Sequence, residues 1–217
     1  MSTFFNRIID CGCCGEKVRV TCIGSTNSLG GCDLDSRPAP MMRWTMCYWV
    51  QVCPHCGYVN PDIEEHIPDA ESIINSKEYI SCSGFQIKAE LARHFIRWGM
   101  ICAKQNNLEE EMFAYLHAAW ACDDSNESEV AVLLRRRCET LLERLMEKNE
   151  SDDLKLIDAD LLRRSGQFDE LIKKYSDADK CARKQLVVEG LRFEVELAKE
   201  KDMDRYQFAE NGKFAPI

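Results

Sequence analysis

The stretch CPHCGY, residues 53–58, holds two cysteines separated by two residues and followed by glycine. A second knuckle of this kind, CGCCG, occupies residues 11–15, with Cys11 and Cys14 as its pair and Gly15 after them. Two intervening residues let one tight turn present both sulfurs to a single tetrahedral ion, at Zn–S distances of about 2.3 Å. Glycine after the second cysteine permits the left-handed turn that aims backbone amides at sulfur. The 38 residues between Cys14 and Cys53 exceed the common ribbon spacing of about 15–20. The excess coincides with GSTNSLGGCDLDSRPAP, residues 24–40, whose Gly, Ser, Asn, Asp and Pro content marks a long irregular loop. Cys11, Cys14, Cys53 and Cys56 are therefore expected to bind one structural zinc ion.

Other uses of the cysteines carry different signatures. A thioredoxin-like redox pair sits at a helix N-terminus beside a βαβ unit, whereas both pairs here border strand-like sequence. A catalytic zinc keeps an open position and takes histidine or carboxylate ligands, while four cysteines close the shell. His55, between two ligands, is expected to face solvent. Cys13 is an extra thiol beside the first knuckle. Cys22, Cys32 and Cys47 are separated by nine and fourteen residues, a spacing that fits no compact knuckle, so they are expected to be buried apolar cysteines. Cys82, Cys102, Cys122, Cys138 and Cys181 are read as packing residues.

The chain has 217 residues, 45% apolar and 30% charged, the composition of a foldable and largely helical protein. No run of about 18 apolar residues occurs, and the opening MSTFFNRIIDCG has one basic residue and no long apolar segment. A cytoplasmic protein without membrane association is expected, in which thirteen cysteines stay reduced. The net charge of −9 divides into +1 for residues 1–60 and −10 for residues 61–217. So acidic a segment is a poor partner for phosphate backbones, which disfavours nucleic acid everywhere except the first 60 residues.

Periodicity predicts an α+β protein. Residues 1–60 contain short alternating runs, KVRVTCI (17–23) and WTMCYWVQV (44–52), that read as strands of a small zinc-ribbon-like β domain. Residues 61–80, with two prolines and six carboxylates, read as a connector with one short helical turn. An all-α domain is expected over 81–210 and a frayed tail over 211–217. Its first helix is marked by Ile87, Leu91, Phe95, Trp98 and Cys102, and its second, after QNN, by Met112, Leu116, Ala119 and Trp120. Further helices follow through Leu134–Leu145, from an N-cap at Ser151, near Phe168, and over 178–200. Phe95, Trp98, Gly99, Cys102, Leu108, Tyr115 and Ala118 have tetratricopeptide-like offsets, as do Ala159, Leu162, Gly166, Phe168, Leu171, Tyr175 and Ala178. The two matches lie 60 residues apart instead of about 34, and neither has the closing proline.

The run at residues 25–59, with the segment LLRRSGQFDELIKKYSDA (161–178), resembles a family of uncharacterised bacterial proteins in which a zinc-ribbon-like domain precedes tetratricopeptide-like helices. The resemblance implies a bacterial cytoplasmic origin and a two-part architecture, and brings no activity with it. Gly12 departs from the proline usual after the first cysteine of such knuckles.

Asp33, Asp35 and Arg37 cluster in the long loop, where they either order it through Asx turns and an Arg–carboxylate pair or form a ligand or partner site. Trp44, Tyr48, Trp49 and Tyr58 with Arg37 and Arg43 offer a stacking platform for single-stranded nucleic acid. Strand alternation instead buries Trp44, Met46 and Tyr48 together. Arg135, Arg136 and Arg137 are read as a solvated helix face. No nucleophile–base pair or phosphate-binding loop points to an enzyme. The leading expectation is an interaction or adaptor protein that presents a helical surface to an unidentified protein or peptide. The alternatives are a nucleic-acid-associated ribbon and a redox- or zinc-sensing protein that uses Cys13.

Overall fold

The computed structural model describes residues 1–149, 151–208 and 214–217. The chain is α+β, with short antiparallel strands at its N-terminus and a succession of helices after them. It divides into two units, one of residues 1–28 and 40–131, the other of residues 29–39 and 132–217. The expected connector at 61–80 lies inside the first unit, and the long loop belongs mainly to the second.

In the first unit, β1 (Thr3–Asp10) and β2 (Lys17–Ser25) form an antiparallel hairpin whose turn is the first cysteine knuckle. A short helix, α1 (Pro40–Arg43), and a 3-10 turn at Met46–Tyr48 lead to β3 (Gln51–Val52) and β4 (Val59–Asn60), a second hairpin whose turn is the other knuckle. The strand expected over 44–52 is thus confined to its last two residues. Proline at 40 starts a helical turn, and Thr45 Oγ1 accepts from Trp49 Nε1 at 3.0 Å, fixing a coil in place of alternation. Met46 is consequently buried while Trp44 is 81% exposed, which reverses the expected burial of Trp44.

Helices α2 (Ala70–Ile74) and α3 (Lys77–Ile80) follow, where one short helical turn was expected. Despite its charge this segment is an integral part of the fold, because Ile63, Ile67, Ala70, Ile73, Ile74 and Tyr79 are all buried. Helices α4 (Glu90–Lys104) and α5 (Leu108–Asp124) then pack along the predicted stripe, burying Phe95, Ile101, Cys102, Met112, Leu116 and Trp120. The QNN signal has a simple cause: Asn106 takes a positive φ that ends α4, and Asn107 accepts from the Glu110 amide to begin α5.

Helix α6 (Ser128–Met146) carries the chain into the second unit, which contains α7 (Asp152–Arg164), α8 (Phe168–Tyr175), α9 (Ala178–Cys181) and α10 (Gln185–Lys199). The single helix expected over 178–200 is broken at Ala182–Lys184. There Asp152 Oδ2 accepts from the Arg183 and Lys184 amides at 2.7 and 2.8 Å, capping α10 from another helix. Ser151 itself makes no side-chain cap bond. The α4–α5 and α7–α8 links share one design, three residues with a positive φ at the second, Asn106 or Gly166. The core of this unit is built from Leu156, Leu162, Leu171, Val188, Leu191 and Val195.

Strands β5 (Tyr206–Phe208) and β6 (Phe214–Pro216) close the second unit, and Phe214 stacks on Phe193 with ring centroids 4.6 Å apart. The tail expected to fray is therefore paired and packed at 214–217, while residues 211–213 lie outside the described residues. The long loop docks here too: Asp33 bridges to Gln207, Phe208 N–H donates to Cys32 O, and Leu34 joins the core.

Buried charges hold this unit together. Arg163, fully buried, donates to Glu194 and to Asp160, and reaches the Asp202 and Asp204 carbonyls at 3.1 and 2.7 Å. Burial opposes its charge, but Glu194 and Asp160 outweigh that cost and raise its pKa. Arg135 is also buried, which corrects the solvated reading of residues 135–137. Successive helical positions fan about 100° apart, so with Leu134 and Cys138 inward Arg136 faces away; of the two arginines that flank the inward direction, Arg135 is buried and Arg137 is exposed. We predict that Arg163→Leu, which strands Glu194 and Asp160 in the interior, lowers unfolding free energy by roughly 3–5 kcal/mol. Lys173→Ala, at an exposed ion pair, should change it by less than about 1 kcal/mol in the same urea titration.

Candidate metal centre

The two knuckles follow one hydrogen-bonding scheme. Cys11 N–H donates to Glu16 O and Gly15 N–H to Cys11 O, at 2.9 and 2.8 Å; Cys53 N–H donates to Tyr58 O and Gly57 N–H to Cys53 O, both at 2.9 Å. Gly15 and Gly57 have φ of 75° and 77°, the left-handed conformation that this turn demands and that a Cβ disfavours. In each turn the amides of the third and fourth residues point at the first sulfur: those of Cys13 and Cys14 at Cys11, those of His55 and Cys56 at Cys53.

The hairpins bring the two turns face to face. The sulfurs of Cys11, Cys14, Cys53 and Cys56 all lie within 4.8 Å of one another, a group that could hold a metal ion. Across the turns, Cys11 Sγ lies 3.8 Å from Cys56 Sγ and Cys14 Sγ lies 3.7 Å from Cys53 Sγ. These separations are far beyond the S–S bond of about 2.05 Å. Cys11 and Cys53 are buried, Cys56 is partly buried and Cys14 is exposed.

Four thiols in this volume interfere with one another. Burial, followed by the neighbouring Cys53 and Cys14 thiols, pushes Cys56 far above the ordinary thiol value, and burial also raises Cys11. Burial works against the Cys53 thiolate as well, yet the amides of Cys56 and His55 outweigh it and lower its pKa. One group ionises at the expense of the others, the conflict that a shared divalent cation removes.

Residues 58–66 support both turns. Gly12 N–H donates to Ile63 O at 2.7 Å, His66 Nδ1–H donates to Gly12 O at 2.9 Å, and Tyr58 OH donates to Glu65 O at 3.0 Å. Tyr79 OH donates to Gly57 O at 2.8 Å. This strap was not anticipated from the sequence, although Ile63 and Ile67, four apart in an acidic run, were its available signal. It also accounts for Gly12 in place of proline: a Cβ there would lie 2.3 Å from Glu65 O, and proline has no N–H to give Ile63.

The remaining candidates lie elsewhere. His55 is exposed. Cys13, half-buried, has its thiol against Cys56 but stands outside the group of four. Cys22 is partly buried and Cys32 and Cys47 are exposed, contrary to the expected burial, because the segments that carry them are an edge strand, a docked loop and a 3-10 turn. Among the described residues no second group of metal-ligating side chains occurs. Asp33, Asp35 and Arg37 are gathered in the second unit, all buried; Asp33 N–H donates to Arg37 O at 2.8 Å, Arg37 N–H to Asp35 Oδ1 at 3.2 Å, and Asp35 Oδ2 pairs with Arg164 at 3.4 Å. No helix among the described residues is long and apolar enough to cross a membrane.

Comparison with known protein families, curated proteins and solved structures found no match for this chain. The geometry of its own residues has to carry the functional reading.

Gly12→Ala is predicted to displace the strap, lowering the thermal midpoint and, in a metal-loaded chain, speeding metal transfer to a colorimetric chelator by about fivefold or more, since overpacking costs about 1–3 kcal/mol. Unchanged transfer would separate the strap from the metal centre.

Proposed function

We propose that the four cysteines hold a single zinc ion as a structural centre, and that the chain is a non-enzymatic interaction protein. The observation that carries the metal assignment is the pair of cross-turn sulfur separations, 3.7 and 3.8 Å. A regular tetrahedron of sulfurs about 2.3 Å from a central zinc has edges of about 3.8 Å. Cys11, Cys14, Cys53 and Cys56 would supply all four ligands, a closed shell with no position for substrate. When bound, the ion supplies charge neutralisation and a cross-link between two hairpins whose own apolar core is small.

The interaction role is supported by where apolar surface lies. Met1, Phe4, Met41, Trp44 and Tyr48, all exposed, line one shallow depression of the first unit. A concentration of this kind marks a surface for a partner. Trp44, with most of its indole in solvent, is the natural anchor.

Elemental analysis of reduced protein purified without added metal should give one zinc per chain. Cys53→Ser should bring this well below stoichiometry and lower the thermal midpoint. Iron in place of zinc, or full zinc retention by both Cys53→Ser and Cys14→Ser, would refute the assignment. Because zinc displaces thiol protons, zinc retention should also weaken as pH falls. For the interaction role, Trp44→Ala should reduce partner capture from native extract while leaving metal content unchanged; equal capture by both forms would exclude this surface.

A further inference from the structure

We propose that strand β1 pairs with β1 of a second copy of this chain, antiparallel about a two-fold axis at Asn6, to form a four-stranded sheet. This goes beyond the interaction role by naming the partner and the contact.

The starting point is an unprotected edge. Among the described residues the sheet of β1 and β2 has two strands, so β1 has a neighbour on one side, and none of its residues takes part there in a backbone hydrogen bond outside that hairpin. Edge strands are ordinarily blunted by lysine, proline, bulges or inward-pointing charge. β1, TFFNRIID, has no lysine or proline, and its one register shift lies at its outer end, between Thr3 and Phe4. Its charges are already engaged, Arg7 by Glu64 and Asp10 by Lys17. Phe4, Phe5 and Ile8 are 45%, 49% and 67% exposed, so the strand presents apolar side chains as well as open backbone.

The choice of a second copy rests on self-complementarity. In an antiparallel pair, facing residues direct their N–H and C=O groups either both toward or both away from one another. A strand that pairs with its own copy must therefore match even positions with even and odd with odd. An axis at Arg7 sets two guanidinium groups face to face and Phe4 against Asp10. An axis at Phe5 sets Phe4 against Asn6 and leaves Ile8 facing Ser2. An axis at Asn6 sets Phe4 opposite Ile8 of the second copy, twice by symmetry, with the two Asn6 amides between them. It also sets Phe5 beside Arg7, an aromatic–cation pairing, and avoids every like-charge contact. Both apolar residues on the Phe4–Asn6–Ile8 face are covered only in this register.

The test uses the full-length metal-bound chain in sedimentation equilibrium from about 1 to about 100 μM, the range where a moderate interface is read. Wild type should dimerise. Phe4→Glu and Ile8→Lys should each raise the dimer Kd by about 30-fold, because each removes two symmetry-related cross-strand pairs. Ile8 is 67% exposed, and Phe4, 45% exposed, gives up within its own chain a ring contact with Tyr48 at 4.8 Å, so circular dichroism and metal content should be retained in both variants. The double variant Phe4→Glu/Ile8→Lys places the new carboxylate of one copy opposite the new ammonium group of the other. It should recover dimerisation to within about tenfold of wild type and lose it in high salt, where the apolar wild-type contact does not. Amide exchange along residues 3–9 of wild type should slow as concentration rises, a readout independent of any variant. A wild type that stays monomeric, single variants that dimerise normally, a double variant no better than the singles, or concentration-independent exchange would each overturn the proposal.

Discussion

The two cysteine-tipped hairpins of the first unit depend on bringing four sulfurs to within a few ångströms of one another. Each pair is preformed by a local turn, with glycine in the left-handed conformation and two amides aimed at the first sulfur. Each turn is also the tip of a hairpin, so strand pairing sets the direction in which it points. Convergence then requires a third element, the strap at residues 58–66, whose carbonyls and ring hydrogen bonds tie Gly12 to Ile63 and His66. Crowding four ionisable thiols is unfavourable unless a cation shares them, so a metal ion held there would couple its binding to the fold around it.

The second unit solves a different problem with the same economy of contacts. A loop rich in turn residues would ordinarily be mobile surface, yet residues 32–34 pair beside β5, and Leu34 enters the apolar core. Asp35 meets Arg164 and Arg163 meets Glu194, Asp160 and the 202–204 backbone, all inside the protein. Buried ion pairs contribute little net stability against apolar replacements, but removing one partner leaves a costly orphan. Such an arrangement selects one docking of the loop and one course for the C-terminal segment. The polar cluster at Asp33, Asp35 and Arg37 is thus built into the interior.

Several elements were legible because their signals are local. The two knuckles could be read from spacing and glycine, α4 and α5 from a helical stripe ended by Asn106 and restarted by Asn107, and β2 from alternation. Signals that compete with tertiary contacts were misleading. WTMCYWVQV has strand-like composition, but Pro40 and the Thr45–Trp49 hydrogen bond coil it, and exposed Trp44 is the result. The acidic stretch 61–80 resembled a linker because its burying residues, Ile63 and Ile67, are sparse among carboxylates. Arg135 resembled its solvated neighbours, since only the rotation of α6 against its packing partners determines which of the two flanking arginines turns inward.

By itself, then, the sequence determined the cysteine pairs, the α+β class, the helical stripes and the absence of a long apolar segment, all properties encoded within a few turns of chain. The tertiary structure alone decided that the pairs converge, that residues 63–66 brace them, that the 29–39 loop belongs with the C-terminal helices, and that β1 keeps an open apolar edge. These outcomes depend on contacts between residues far apart in the chain, such as Gly12 with Ile63 and Asp35 with Arg164. No local propensity encodes such pairs, because a backbone amide or carbonyl and a charged side chain are each satisfied by water until the distant partner is supplied.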